Sequence, residues 1–161
     1  MNALTDFREA LEVRQKAEKH VEKIESTKEY KTLVDHAVKA FSNTTQLSHL
    51  EQIARSVTRF GDITMWVKRQ TGKAKKDDDP WIHKESPGAP LLGARLIGLL
   101  DLLNEWIEPT DDTKYAVLME TARLLFRDLR SEVLFRQKVQ SAQTHDESNR
   151  PTSKRGRGGR R

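Results

Sequence analysis

The chain has no cysteine among its 161 residues. That excludes disulfide scaffolds, thiolate zinc sites and cysteine nucleophiles. It also lacks any apolar run approaching the ~18 residues that span a bilayer. The stretch MNALTDFREALEVRQK is charged from Asp6 onward and has no apolar h-region, so it does not read as a secretory signal. Apolar residues make up only 35% and aromatics only 6%. The first share is below the ~45–50% of ordinary globular chains, a figure that also counts glycine, and it predicts a small core under a large polar surface. Alternating β-branched runs are missing, so strands are not expected. Signatures of catalysis are missing too. There is no HExxH, no serine-centred elbow, no dinucleotide fingerprint and no phosphate loop, since Thr71-Gly72-Lys73 lacks the partnering glycine. The expectation is a non-catalytic cytoplasmic protein with no membrane segment, no cofactor and no metal.

What is present is helical periodicity. Leu4, Phe7, Leu11, Ala17, Val21 and Ile24 recur at spacings of three, four and more, predicting a first helix over about Leu4 to Glu25. Ser26 with Glu29 has the form of a capping box. It opens a second helix, about Thr27 to Ser42, whose apolar face is Tyr30, Leu33, Val34, Ala37, Val38 and Phe41. A third is predicted from about Gln46 to Thr71, with a bend or break at Gly61. Gly72 to Pro90 reads as the main loop, with Trp81 and His83 anchoring it on the bundle. The fourth helix, about Leu91 to Glu108, is apolar nearly all round, which fits the buried centre of a bundle or a protein interface; Gly93 and Gly98 would admit another helix closely. The last runs from about Asp112 to Gln140. The fold class expected is therefore all-α: a single bundle of about five helices over residues 1–140, followed by a disordered, basic Arg/Gly-rich tail over residues 141–161.

Charge divides the same way. The net charge is +5, of which +4 falls between Gln140 and Arg161. Arginine–glycine segments such as SKRGRGGRR bind single-stranded nucleic acid with little sequence preference, which makes Arg155, Arg157, Arg160 and Arg161 candidates for phosphate contact. On the last helix Arg123, Arg127 and Arg130 recur at offsets of four and seven. On the third, Arg55 and Arg59 lie one turn apart, and Lys68, Arg69, Lys73, Lys75 and Lys76 gather towards its end. Stripes of this kind can track a phosphate backbone; the competing reading of the 123–130 stripe is ion pairing with Glu18 and Glu22 of the first helix. Asp77-Asp78-Asp79 reads as a solvated turn, and not as a cation site, because successive carboxylates do not converge. Arg14 and His20 match the loose Arg-x4–6-His spacing of HEPN-type helical ribonucleases, a match that any helix carrying both residue types can make.

Three stretches carry a family resemblance: EYKTLVDHAVKAF (Glu29 to Phe41), TTQLSHLEQIARSVTRF (Thr44 to Phe60) and KYAVLMETARLLFRDLR (Lys114 to Arg130). In a short, cysteine-free, helical chain with basic stripes, this layout resembles the small α-helical subunit of type III CRISPR effector complexes. The resemblance implies a non-catalytic subunit of an antiviral ribonucleoprotein, stacked beside guide RNA and offering a basic face to target RNA, with other protein subunits as partners. The basic residues named above are the expected RNA contacts. The alternatives are a helical adaptor or scaffold that binds a protein, or a second copy of itself, through the apolar helix 91–107, and a small viral RNA-binding protein.

Overall fold

A computed structural model describes residues 3–76 and 78–148, and within them amphipathic periodicity becomes helix. In order these are α1 (Ala3–Glu25), α2 (Lys28–Ala40), α3 (Thr45–Ser56), α4 (Phe60–Lys73), a single 3-10 turn (Pro80–Ile82), α5 (Leu92–Ile107) and α6 (Asp112–Ser148). No strand occurs among the described residues.

The elements differ from expectation where caps and distant side chains decide. The cap of α2 is Thr27, not Ser26. The Thr27 hydroxyl accepts from the Tyr30 N–H at 3.2 Å, while Ser26 donates back to the Lys23 carbonyl at 2.6 Å. The long third helix is two helices. It breaks at residues 57–59, and Gly61 lies inside α4. Val57 and Arg59 are extended, and neither α3 nor α4 has a side-chain N-cap bond. The Tyr115 hydroxyl, from α6, supplies what is missing: it accepts from the Phe60 N–H at 2.8 Å and donates to the Thr58 carbonyl at 2.9 Å. Backbone groups orphaned at helix ends need such partners. At the other end of the chain α6 runs to Ser148, past the expected stop at Gln140. Residues 141–148 are polar but hold no glycine or proline, the residues that break helices. The Ser141 and Thr144 hydroxyls bond back to the carbonyls of Gln137 and Gln140.

The core is organised around α5, which packs against α2, α4 and α6. Leu92, Leu96, Leu99, Leu100, Leu103 and Ile107 are all buried. The outward positions of α5 are Ala94, Gly98, Asp101, Asn104 and Glu105. Most of its apolar excess is thus used inside the chain, as expected for the buried centre of a bundle, while Ile97, Leu102 and Trp106 are half-buried. Of its two glycines, Gly93 meets a neighbour: a Cβ there would sit 2.0 Å from the Thr71 hydroxyl of α4, whereas Gly98 faces open space.

The most extensive helix pair is α1 with α6. Arg14 reaches Glu120, and Glu25 lies against Asp128, so the two helices run parallel. Ala17, Val21 and Ile24 are buried in this contact, but Leu4 and Phe7 are 66% exposed and Leu11 46%. Residues 4–12 are all exposed, Ala10 included, although at 3.6 residues per turn Ala10 lies on the azimuth of the buried stripe, so the first turns of α1 lack cover on every side and the expected burial of Leu4, Phe7 and Leu11 does not occur.

The loop before α5 is held by His36, which is wholly buried on α2. Its Nε2 lies 3.0 Å from both Nδ1 and the carbonyl oxygen of His83. Trp81, also buried, packs edge-on against Phe41 and Trp66. Both loop residues act as anchors, as expected. Burial holds the His36 imidazole below its ordinary pKa, as do the nearby His83 and Arg95, with Glu85 acting in the opposite sense.

Two outcomes follow. Leu100→Ala empties space at the centre of the bundle and should cost about 2–5 kcal/mol in urea unfolding. His36 binds its proton less readily folded than unfolded, so its contribution is present at neutral pH and is lost as pH falls below the ordinary imidazole pKa of about 6.5. In pH-dependent unfolding, His36→Gln should flatten that part of the stability profile relative to the unmodified protein.

Candidate nucleic-acid interface

The two arginine groups expected to bind phosphate have different surroundings. On α6, Arg123 donates from Nε to the Ala54 carbonyl of α3 at 3.0 Å and lies 3.6 Å from Glu120. Arg130 donates to one Glu51 oxygen at 3.1 Å, and Arg55 donates to the other at 2.5 Å. Glu51 is only 7% exposed. Arg127 pairs with its neighbour Asp128 at 2.8 Å. The partners are therefore Glu51, Glu120 and Asp128, and not the Glu18 and Glu22 of the competing reading. Glu18 instead takes Arg14, which also reaches Glu120, each at 2.9 Å. These bonds join α3 and α1 to α6. A carboxylate as buried as Glu51 is costly without its cations, so Arg55 and Arg130 have a structural task.

The cations of α4 and of the segment after it have no such task. Arg59, Lys68, Arg69, Lys73, Lys75 and Lys76 are all exposed, and none forms an ion pair among the described residues. Helical geometry divides them. Arg59 and Lys68 border a groove of about 500 Å³ that also includes Tyr115, Asp101 and Asn104. Arg69 and Lys73 lie on the opposite edge, three and seven residues after Trp66 and so on its ridge. Asp62, Asp77, Asp78 and Asp79 are the acidic neighbours in sequence. Lys73, in the last turn, also suits the helix dipole.

Beside the second edge, α3 and α4 enclose a cleft of about 660 Å³. Its α3 wall is the stripe Gln46, His49, Ile53 and Ser56, with Gln52 alongside; its α4 wall is Trp66 and Gln70, with Trp81 beneath. Apart from Trp81, which the sequence marks as a loop anchor, none of these residues stands out in the sequence. The signal was there in the offsets 46, 49, 53 and 56, which place the polar Gln46, His49 and Ser56 beside Ile53 on a face distinct from the buried Leu47, Leu50 and Ala54.

The remaining candidates lie elsewhere. Asp77 lies outside the described residues, Asp79 caps the 3-10 turn by accepting from the Trp81 N–H at 3.0 Å, and no metal-holding group of His, Cys, Asp or Glu occurs among the described residues. Arg14 is engaged by two carboxylates, while His20 has its pKa lowered by burial and by Lys23. Arg155, Arg157, Arg160 and Arg161 lie outside the described residues. No described helix is long and apolar enough to cross a membrane. No family model, curated protein or solved structure matches the chain.

The bridging carboxylate should matter more than one of its exposed partners. Glu51→Ala leaves Arg130 and Arg55 without a partner and is expected to cost about 1–3 kcal/mol in urea unfolding. Arg55→Ala, at the more exposed end, should cost at most about 1 kcal/mol.

Proposed function

We propose that the protein is a non-catalytic binder of single-stranded RNA that works as a subunit of a ribonucleoprotein. The observation that carries this reading is the set of exposed cations at Arg59, Lys68, Arg69, Lys73, Lys75 and Lys76, which have no ion-pair partners among the described residues. Cations already paired within a fold gain less from a phosphate, because the existing pair must be given up. Cations without partners release counterions from the nucleic acid at no such cost. The reading thus moves the interface from the α6 stripe to α4. The Arg155–Arg161 arm adds sequence-independent attraction of the same kind. Membership of a type III CRISPR effector, as small subunit, is the setting that the resemblance in α2, α3 and α6 favours.

A second reading has its own observation. Leu4, Phe7 and Leu11 form an exposed apolar ridge on α1, which favours a protein-binding adaptor in which the cations are only solubilising.

Charge reversal separates the two. In the triple variant Lys68→Glu, Arg69→Glu and Lys73→Glu, affinity for a labelled single-stranded RNA should fall about ten-fold or more. The salt dependence should flatten by about 0.7 in log–log slope for each phosphate that is no longer neutralised. The melting temperature should hardly change, because none of the three makes an ion pair among the described residues. Unchanged RNA affinity would remove α4 as the interface and leave the adaptor reading standing.

A further inference from the structure

The α3–α4 cleft has the chemistry of a site for a flat, hydrogen-bonding ring. It offers side-chain amides from Gln46, Gln52 and Gln70 and the imidazole of His49. The hydroxyls of α3 are satisfied locally: Ser48 bonds back to the Thr44 carbonyl and Ser56 to that of Ile53. The amides are not. The Gln46 Oε1 is buried and has no hydrogen-bond partner among the described residues. Buried polar atoms are nearly always paired, so Gln46 brings to the cleft wall hydrogen-bonding capacity that the fold itself does not use. An amide group both donates and accepts, which suits the mixed edge of a nucleobase better than a carboxylate or an ammonium group would.

The aromatic component is Trp66. Its indole stands almost perpendicular to that of Trp81, at 85° and 5.5 Å between centroids. Trp81 in turn is held edge-on by Phe41 at 83° and 5.7 Å. Trp81 is buried and Trp66 only half-buried, on the cleft wall. The pair therefore fixes the orientation of the accessible ring in advance, which limits the ordering cost of stacking. Arg69 follows about one helical turn along the same ridge, and Lys73 a turn later. A ring seated against Trp66 thus has cations within reach of any phosphate attached to it.

From this juxtaposition we infer that the α3–α4 cleft captures one unstacked base of a single-stranded nucleic acid, stacking it on Trp66 while Gln46, Gln52 and Gln70 bond its edge and Arg69 and Lys73 hold the adjoining phosphates. The inference rests on the nucleic-acid reading and extends it: α4 recognises bases as well as backbone. Single-strand binders combine charge with aromatic platforms in this way. A duplex, whose bases are stacked and paired, could not enter.

Fluorescence anisotropy with two labelled probes of equal length tests this: a single-stranded RNA, and a ribose-phosphate strand lacking bases. The unmodified protein should bind the RNA about ten-fold or more tightly than the baseless strand, matching one stacked base. Trp66→Leu should abolish that difference while leaving baseless-strand binding unchanged. Because Trp66 packs on Trp81, that variant is paired with Gln52→Ala/Gln70→Ala, which alters only the cleft wall and should reduce the difference several-fold. Equal binding of both probes by the unmodified protein, or a difference that survives in both variants, overturns the base site and leaves the backbone interface intact. Failure to bind either probe overturns the nucleic-acid reading and the base site with it.

Discussion

A single phenolic oxygen stands where one helix becomes two. Periodicity alone would carry a helix from α3 straight into α4, and no proline or capping side chain stops it. Tyr115 completes the break by serving a donor on one side and an acceptor on the other. The change of direction that results is what turns α4 away from α3 and leaves a wedge between them. Without it the polar stripe of α3 and the Trp66 ridge would lie end to end, and neither the cleft nor the cationic edge beside it would have its present shape. Tyr115 itself is held by α6, so the geometry of the candidate interface is inherited from the bundle's longest helix.

Positive charge is used in two ways in this chain, and the division follows burial. Where a carboxylate is drawn towards the core, as at Glu51 and Glu120, arginine answers it, often with more than one bond. Arginine's planar fork suits that task. Away from those sites, at the end of α4, the charges are mostly lysine and remain in water. The two groups look alike in a count of basic residues, yet the first is engaged by carboxylates and the second forms no ion pair among the described residues.

Much of the fold was legible from apolar spacing. The faces of α2, α5 and α6 emerge with Leu33, Leu100 and Leu125 buried where the pattern puts them, because burial of a stripe is a local rule. The failures involve partners far away along the chain. The break at residues 57–59 depends on a hydroxyl 55 and 57 positions further on, and the fate of Arg130 depends on a carboxylate 79 positions before it. Spacing along one helix shows which side chains share a face but not what stands opposite. That is why the carboxylates that face the 123–130 stripe could not be read from it. The same limit hid the cleft: Gln46 and Trp66 belong to different helices, and only the fold makes them neighbours.

The parallel pairing of α1 with α6 also has a consequence for the order of events during synthesis. The bond from Arg14 to Glu120 spans 106 positions, and the largest helix contact among the described residues joins α1 to α6 across all the elements between them. A ribosome releases α1 long before its groove exists, so Ala17, Val21 and Ile24 must wait in solvent or against temporary neighbours. Contacts between such distant parts of a chain form slowly and late. The bundle therefore stays unfinished until α6 is made, and a chain interrupted anywhere before α6 would leave α1 with nothing to close upon.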